Sequence, residues 1–158
     1  MRTPVLSFSV KYLNCNAGIV ITASHTPKDY NGYKVYDKYG CQLVPQYADK
    51  VISYINNVKD IKSVKHMNLN MALSNGYLTY IGDEVLNSYI SEVEKMAVYK
   101  EASDLKIVYT PLHGTGNIPV RKVLSGMSFD VSVVKEQAVA DGNFTTVRSP
   151  NAEEKDAL

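Results

Sequence analysis

The chain lacks several features that would define its class by composition alone. Its 158 residues include only two cysteines, Cys15 and Cys41, which form neither a close pair nor a disulfide framework. The longest apolar run, residues 17–23, is far too short to span a bilayer. The formal net charge is +1 with no basic cluster, so neither nucleic acid nor a membrane surface is an expected partner. These absences predict a soluble, cytoplasmic protein with reduced thiols.

Hydrophobic patterning in the first two thirds of the chain predicts strands and helices together. Residues 18–21 form a β-branched apolar run that is typical of a central buried strand. Residues 33–36 and 41–44 flank a polar turn and predict a hairpin. Three helices are predicted from apolar residues at helical spacing. They begin near Thr3-Pro4, Pro45 and Asp83, and each start carries a capping residue or a proline.

A strand-helix-strand pattern follows. Residues 105–109 and 131–134 are predicted strands, and between them a glycine-rich turn leads to a helix from Pro119 to about Leu124. This order predicts a parallel pair with a right-handed crossover. We expect residues 136–150 to form a loop and Asn151 to start a short helix.

The fold class is therefore α/β. A mixed sheet with packed helices is predicted for residues 1–102. Residues 103–158 form the strand-helix-strand start of a second α/β domain.

The segment from Thr22 to Tyr36 carries a pattern suited to covalent or phosphate chemistry. An apolar strand ends directly before Ser24 and His25, and Lys34 lies on the next predicted strand. A serine at the end of a buried strand is held rigidly, and nearby cationic groups can stabilise an anion formed on it. Ser24, His25 and Lys34 are the candidate catalytic residues.

Other chemistries fit this sequence less well. A serine hydrolase is an alternative, but Thr22 and Thr26 occupy the glycine positions of the Gly-x-Ser-x-Gly elbow. The turn at residues 114–116, Gly-Thr-Gly, could hold an anion at a helix start. It is neither a Walker loop nor a dinucleotide fingerprint, and a structural turn is the favoured interpretation.

The segment around Ser24 resembles the active-site serine loop of the alpha-D-phosphohexomutases, the phosphoglucomutase and phosphomannomutase superfamily. That family's pattern reads Thr-Ala-Ser-His-Asn-Pro, followed by Asn-Gly-(Tyr/Phe/Ile)-Lys. Thr26 replaces the usual asparagine, and the matched positions are Ser24, His25, Pro27, Asn31, Gly32 and Lys34. Residues 3–13, 110–116 and 149–153 also resemble family segments, so that the resemblance covers almost the whole chain.

The resemblance implies a phosphoglucomutase-type isomerase, an intramolecular phosphotransferase acting on hexose 1-phosphate and hexose 6-phosphate. A phosphate on Ser24 would pass to the sugar phosphate, giving a bisphosphate that returns its other phosphate to the serine. Glucose 1,6-bisphosphate is the implied activator. The implied cofactor is Mg²⁺, bound by the phosphate on Ser24 and by three aspartates.

The resemblance also gives roles to the two cationic side chains. His25 would assist proton transfer or hydrogen-bond the phosphate, with stabilisation of the loop as the alternative. Lys34 would act as a base or as a point charge that holds phosphate.

Family segments expected on either side of this one do not occur in the sequence, among them the Asp-Gly-Asp-x-Asp-Arg metal loop. We therefore expect a fragment covering the back of domain 1 and the front of domain 2, which would be inactive alone. Phosphomannomutase is the nearest alternative for the activity of the parent protein. For the fragment itself, the alternative is a non-catalytic scaffold or binding module. Apolar sheet faces exposed by truncation could let the fragment self-associate.

Overall fold

The structure is a computed structural model that describes residues 3–23, 25–98 and 104–157. Its helices are α1 (Thr3–Tyr12), α2 (Pro45–Asn56), α3 (Leu69–Ser74), α4 (Asp83–Lys95) and α5 (Asn117–Gly126). Its strands are β1 (Ala17–Thr22), β2 (Gly32–Asp37), β3 (Lys106–Tyr109) and β4 (Asp130–Val133). Short 3₁₀ segments lie at Ile61–Ser63, Lys135–Gln137 and Lys155–Ala157. The chain has the predicted α/β architecture.

The first sheet consists of β1 and β2, which pair antiparallel with Thr22 opposite Gly32. Helix α1 packs on one face of this sheet, where Val10 and Val20 are buried. Gly18 permits the close approach, since a Cβ at this position would lie 2.5 Å from Cγ2 of Val10. The predicted first helix and strand are thus confirmed, and their contact depends on a residue without a side chain.

The prediction that β1 is a central, buried strand is wrong for the described residues. β1 pairs with β2 alone, and Ile19 and Ile21 are 53% and 68% exposed on the face away from α1. The second half of the predicted hairpin is also not a strand. Residues 41–44 follow the outer edge of β2 through one bridge, Tyr36 to Gln42, where Leu43 N donates to the Val35 oxygen (2.9 Å) and Asp37 N donates to the Cys41 oxygen (2.9 Å).

Helix α2 begins at Pro45 as predicted, but none of its residues is buried. Helix α3 was not predicted, because the sequence of residues 59–75 is polar and weakly patterned. Asn68 caps α3 by accepting a hydrogen bond from Asn70 N (2.9 Å). A local capping residue therefore marks this helix, although it has no buried face.

Helix α4 lies between the two halves of the chain. It begins at Asp83, with Gly82 as its N-cap rather than the predicted Asp83. Acidic residues in its first turn and Lys95 in its last turn complement the helix dipole. Val85 and Ile90 are buried, and α4 packs against both α1 and α5.

The second sheet pairs β3 and β4 in parallel, with α5 as the connection, as predicted. Helix α5 extends two residues further at each end than the sequence indicated, from Asn117 to Gly126. Its early start is compatible with Pro119, because a proline in the first turn removes only an amide that has no helical partner.

The C-terminal residues pack against the turn that follows β3. Leu112, Val147 and Ala157 form a buried cluster, and the buried Gln137 amide donates to the Ala157 carbonyl oxygen (3.0 Å). The predicted helix at Asn151 is wrong. The Asn151 side chain accepts a hydrogen bond from Glu153 N (3.1 Å) in a local turn. The 3₁₀ segment Lys155–Ala157 follows this turn.

The predicted boundary between residues 102 and 103 lies outside the described residues and stays a prediction. Across the described ranges, each helix is too short or too polar to traverse a lipid bilayer.

Candidate functional site

Ser24, the central residue of the candidate site, lies outside the described residues. The structure does describe the elements on both sides of it. Thr22 ends β1 and pairs with Gly32 at the start of β2, which closes the base of the loop. Within the loop, Thr26 N donates to the Ala23 oxygen (2.9 Å) and Tyr30 N donates to the Pro27 oxygen (3.0 Å). The Thr26 hydroxyl also donates to the Ala23 oxygen.

The loop borders an open cavity of about 600 Å³. Its lining includes both His25 and Lys34, with no carboxylate among the described residues that form it: Thr22, Ala23, His25, Thr26, Pro27, Tyr30, Asn31, Gly32 and Lys34. The structure thus brings His25 and Lys34 to one cavity, at the end of the strand that leads to Ser24. Tyr30 and Asn31 also line the cavity, although no role at the site was predicted for either.

The register of the sheet explains the position of Lys34. This residue is opposite Val20, two residues before Thr22 at the end of β1, and directly opposed residues of an antiparallel pair share one face of the sheet. Lys34 is half-buried, whereas His25 is exposed. Lys34 also lines the cavity, so a charged Lys34 could neutralise an anion bound there.

The described residues do not form a metal site on their own. They contain no group of three or more histidine, cysteine, aspartate or glutamate side chains placed to hold an ion. A divalent cation that prefers several carboxylate oxygens would therefore need ligands other than the described residues of this chain.

The glycine-containing turn after β3 borders a different cavity. That cavity has a volume of about 610 Å³, includes Gly114, Thr115 and Asn117, and lies at the starts of α4 and α5. His113 connects this turn to the loop that follows β4. Its Nδ1 donates to the Val139 oxygen (2.7 Å), and its Nε2 lies 2.6 Å from the Thr146 hydroxyl. No local pattern in the sequence indicates these long-range bonds.

Asp141 is a carboxyl whose hydrogen bonds change its acidity. The side-chain hydrogen bond from Thr145 lowers the pKa of this carboxyl from 3.8 to about 2, with help from the backbone amides of Thr145 and Asn143. Asp141 was not singled out in the sequence, where the only signal was a polar Asp-Gly-Asn segment of the kind that forms local turns.

Comparison with family models gives matches over most of the chain. Residues 1–62 match "Phosphoglucomutase/phosphomannomutase, alpha/beta/alpha domain I". Residues 87–158 match the corresponding domain II. The first match includes the serine loop, and the second begins inside α4.

Curated relatives are similar along nearly the whole chain. A protein named phosphoglucomutase from Staphylococcus haemolyticus is 44% identical over 157 residues, and one from Staphylococcus saprophyticus is 40% identical over 157 residues. Each alignment covers 99% of this chain but only 28% of the relative.

A solved structure shares the fold. It is the crystal structure of a Thermus thermophilus protein described as a candidate phosphomannomutase, with a TM-score of 0.58 and 22% identity. The similarity covers 92% of this chain and 30% of that protein.

Proposed function

Because the chain belongs to the phosphoglucomutase/phosphomannomutase family, we propose that Ser24 carries the phosphate in a hexose-phosphate mutase reaction. The observation that supports this best is the cavity at the end of β1, which His25 and Lys34 line together without a described carboxylate. A charged lysine and a hydrogen-bonding histidine in such a cavity favour a bound phosphoryl group and the charge that develops during its transfer.

In the proposed reaction, a hydroxyl oxygen of a hexose monophosphate attacks the phosphorus on Ser24. The bond from phosphorus to Ser24 Oγ breaks as the bond to the sugar oxygen forms. Lys34 either accepts the proton of the sugar hydroxyl in its uncharged form or, as an ammonium group, neutralises the phosphate while a phosphate oxygen takes that proton; His25 supplies a proton to the departing Oγ. The bisphosphate then reorients in the site. It returns its other phosphate to Ser24 by the same steps in reverse, so that no phosphate is consumed.

The cofactor belongs to the proposal. Mg²⁺ would be held by the phosphate on Ser24 together with carboxylates that the described residues do not supply, and it would neutralise phosphate charge. Turnover is therefore proposed for a longer polypeptide that provides those ligands, since this chain spans 28% of the relatives it matches.

Glucose phosphates are the proposed substrates, with glucose 1,6-bisphosphate as activator, because the relatives at 40% and 44% identity are named phosphoglucomutase. Mannose phosphates are the second candidate, supported by the family description of both domains. A cytoplasmic location is also proposed, from two cysteines that are free in the structure.

The test is conversion of glucose 1-phosphate to glucose 6-phosphate by the full-length gene product, with Mg²⁺ and a trace of glucose 1,6-bisphosphate. The Ser24→Ala variant should lose turnover and the phosphate detected on this residue by mass spectrometry. The control Ser53→Ala removes an exposed serine of α2 and should keep wild-type activity. Equal turnover by Ser24→Ala and wild type would exclude the proposed role of Ser24.

Two substitutions of Lys34 separate its possible roles. Lys34→Met removes both charge and base and should lower kcat by about 10²–10⁴. Lys34→Arg keeps the charge but cannot give up its proton in a protein, so it should be as slow as Lys34→Met if the lysine is the base. Recovery of activity by Lys34→Arg would instead assign the lysine to charge neutralisation.

A further inference from the structure

One residue, Thr26, ties together the two ends of the short segment that contains Ser24. The amide of Thr26 donates to the Ala23 oxygen (2.9 Å), and the hydroxyl of Thr26 donates to the same oxygen. Only Ser24 and His25 lie between Ala23 and Thr26 in the sequence. The two bonds therefore fix the separation of the described residues on either side of the candidate catalytic pair.

The sheet alone does not order this segment. The pairing of β1 with β2 ends at Thr22 and Gly32, so residues 23–31 lie beyond the paired strands. A second turn, in which Tyr30 N donates to the Pro27 oxygen (3.0 Å), orders the part of the loop that returns to β2. A connection of this length samples many conformations unless internal bonds restrict it, and the bonds from Thr26 restrict the part that contains Ser24.

The side chain of Thr26 suits this task. Threonine is branched at Cβ, which restricts its χ1 angle, and a hydroxyl on Cβ can bond a carbonyl oxygen three residues earlier in the chain. Pro27 adds a restriction on the backbone, because the residue before a proline is disfavoured in the helical region. The side chain and the backbone of Thr26 are thus both limited to few conformations.

The hydroxyl bond is a feature of this chain and not of the pattern that it resembles. Thr26 replaces the asparagine of that pattern, and asparagine carries its donor on an amide one atom further from the backbone. Thr26 is also exposed. Because water can replace the partner of an exposed hydroxyl, the bond should contribute little to folding, and its effect should be on the position of the segment.

We propose that Thr26 is a positioning residue: its hydroxyl, bonded to the Ala23 oxygen, holds the Ser24-His25 segment in the geometry that transfers phosphate. This role rests on the proposed function, in which Ser24 carries that phosphate. Transfer requires the attacking oxygen, the phosphorus and the departing oxygen to lie roughly in line. A displacement of about 1 Å can slow a reaction by about 10². No proton and no bond of the reaction is assigned to Thr26 itself.

Two substitutions in the full-length gene product test this role. Thr26→Val keeps the branched Cβ but removes the hydroxyl, and it should lower kcat by about 10–10². The KM for glucose 1-phosphate should change less than about threefold, because the lost bond acts on the transfer step. Thr26→Ser keeps the hydroxyl and should retain kcat within about threefold of wild type. Saturating glucose 1,6-bisphosphate keeps Ser24 phosphorylated during these measurements.

Controls separate positioning from folding. Thr79→Val makes the same change at an exposed threonine between α3 and α4 and should leave kcat unchanged. The urea midpoints of both Thr26 variants should match that of wild type. Equal kcat values for Thr26→Val and wild type would overturn the positioning role. A loss of kcat in Thr26→Ser as large as that in Thr26→Val would overturn it as well, since serine keeps the hydroxyl.

A measurement on the unaltered protein covers the case in which a variant fails to fold. Hydrogen exchange at the Thr26 amide should be at least about tenfold slower than in an unstructured peptide of the same sequence. Exchange at the rate of the peptide would contradict the bonds to Ala23.

Failure of the positioning role is distinguishable from failure of the proposed function. Turnover that is unchanged in Ser24→Ala would overturn the proposed function, and the role of Thr26 with it. Turnover that requires Ser24 but not the hydroxyl of Thr26 would overturn the positioning role alone.

Discussion

Asp141 organises the loop that follows the Lys135–Gln137 segment through three hydrogen bonds to its carboxylate. One oxygen accepts from Asn143 N (2.8 Å), and the other accepts from the amide (2.8 Å) and hydroxyl (2.6 Å) of Thr145. These donors favour the ionised form, which is why the pKa falls to about 2. Protonation would remove the charge that the three bonds share.

This lowered pKa predicts how stability depends on pH. The contribution of Asp141 should be fully present above its unfolded value of 3.8 and should be lost as the pH falls toward about 2. Urea unfolding midpoints between pH 2 and 5 would show the loss, and Asp141→Asn should flatten the dependence. Asp49→Asn removes an equal charge from α2 and should keep the wild-type dependence, because Asp141 is intact. If the urea midpoint changed equally with pH in wild type and Asp141→Asn, the result would contradict the prediction.

At the same scale, the sequence allowed the prediction of candidate residues but not of their surroundings. Ser24, His25 and Lys34 were predicted from a local pattern, and the structure brings the last two to one cavity. Their catalytic roles stay predictions. The bonds of His113 could not be predicted, because its partners are 26 and 33 residues away in sequence and no periodicity encodes such pairs.

At the scale of elements, His113 connects the turn after β3 to the loop of residues 138–147. The ring is buried, contacts Phe144 edge-on, and bonds Val139 and Thr146. Its backbone is left-handed, with φ of 57°. One side chain therefore fixes both the turn that starts α5 and the loop packed behind it.

Removal of this side chain should loosen both segments. His113→Ala should lower the free energy of unfolding by about 1–3 kcal/mol, since it leaves hydrogen-bonding groups without their partner. His113→Asn should recover part of the loss, because asparagine tolerates a left-handed backbone and its amide can still donate to the Val139 oxygen. Urea unfolding gives the energies, and amide exchange in residues 138–147 should accelerate.

The control for this prediction is His66→Ala, which removes an exposed histidine whose ring nitrogen lies 3.4 Å from a carbonyl oxygen. It should change stability by less than about 0.5 kcal/mol. Similar losses for His66→Ala and His113→Ala would show that the two bonds of His113 add nothing measurable.

The elements themselves were largely predictable where local signals are strong. Pro45 marks the start of α2, and α4 begins at Asp83, where the apolar spacing and the acidic first turn predicted a helix start. Burial was not predictable from the same patterns. The apolar runs of β1 and α2 indicate surfaces that need a partner, but they do not say whether that partner is present in the described part of the chain.

At the scale of the whole molecule, α4 joins the two sheets. It packs against α1, which covers β1 and β2, and against α5, which connects β3 and β4. The domain II match begins inside α4, at residue 87, whereas the sequence suggested a boundary after residue 102. A helix that packs on both sides should couple the stability of the halves, wherever the boundary is placed.

Ile90 tests this coupling, because it is a buried residue of α4 with 7% of its surface exposed. Ile90→Ala should lower the free energy of unfolding by about 2–5 kcal/mol through the lost contacts and the cavity left behind. If α4 couples the halves, amides of both β1–β2 and β3–β4 should exchange faster. Ile118→Ala, at a residue of α5 that is 57% exposed, should change stability by less than about 0.5 kcal/mol. Faster exchange in only one sheet would mean that the halves unfold independently.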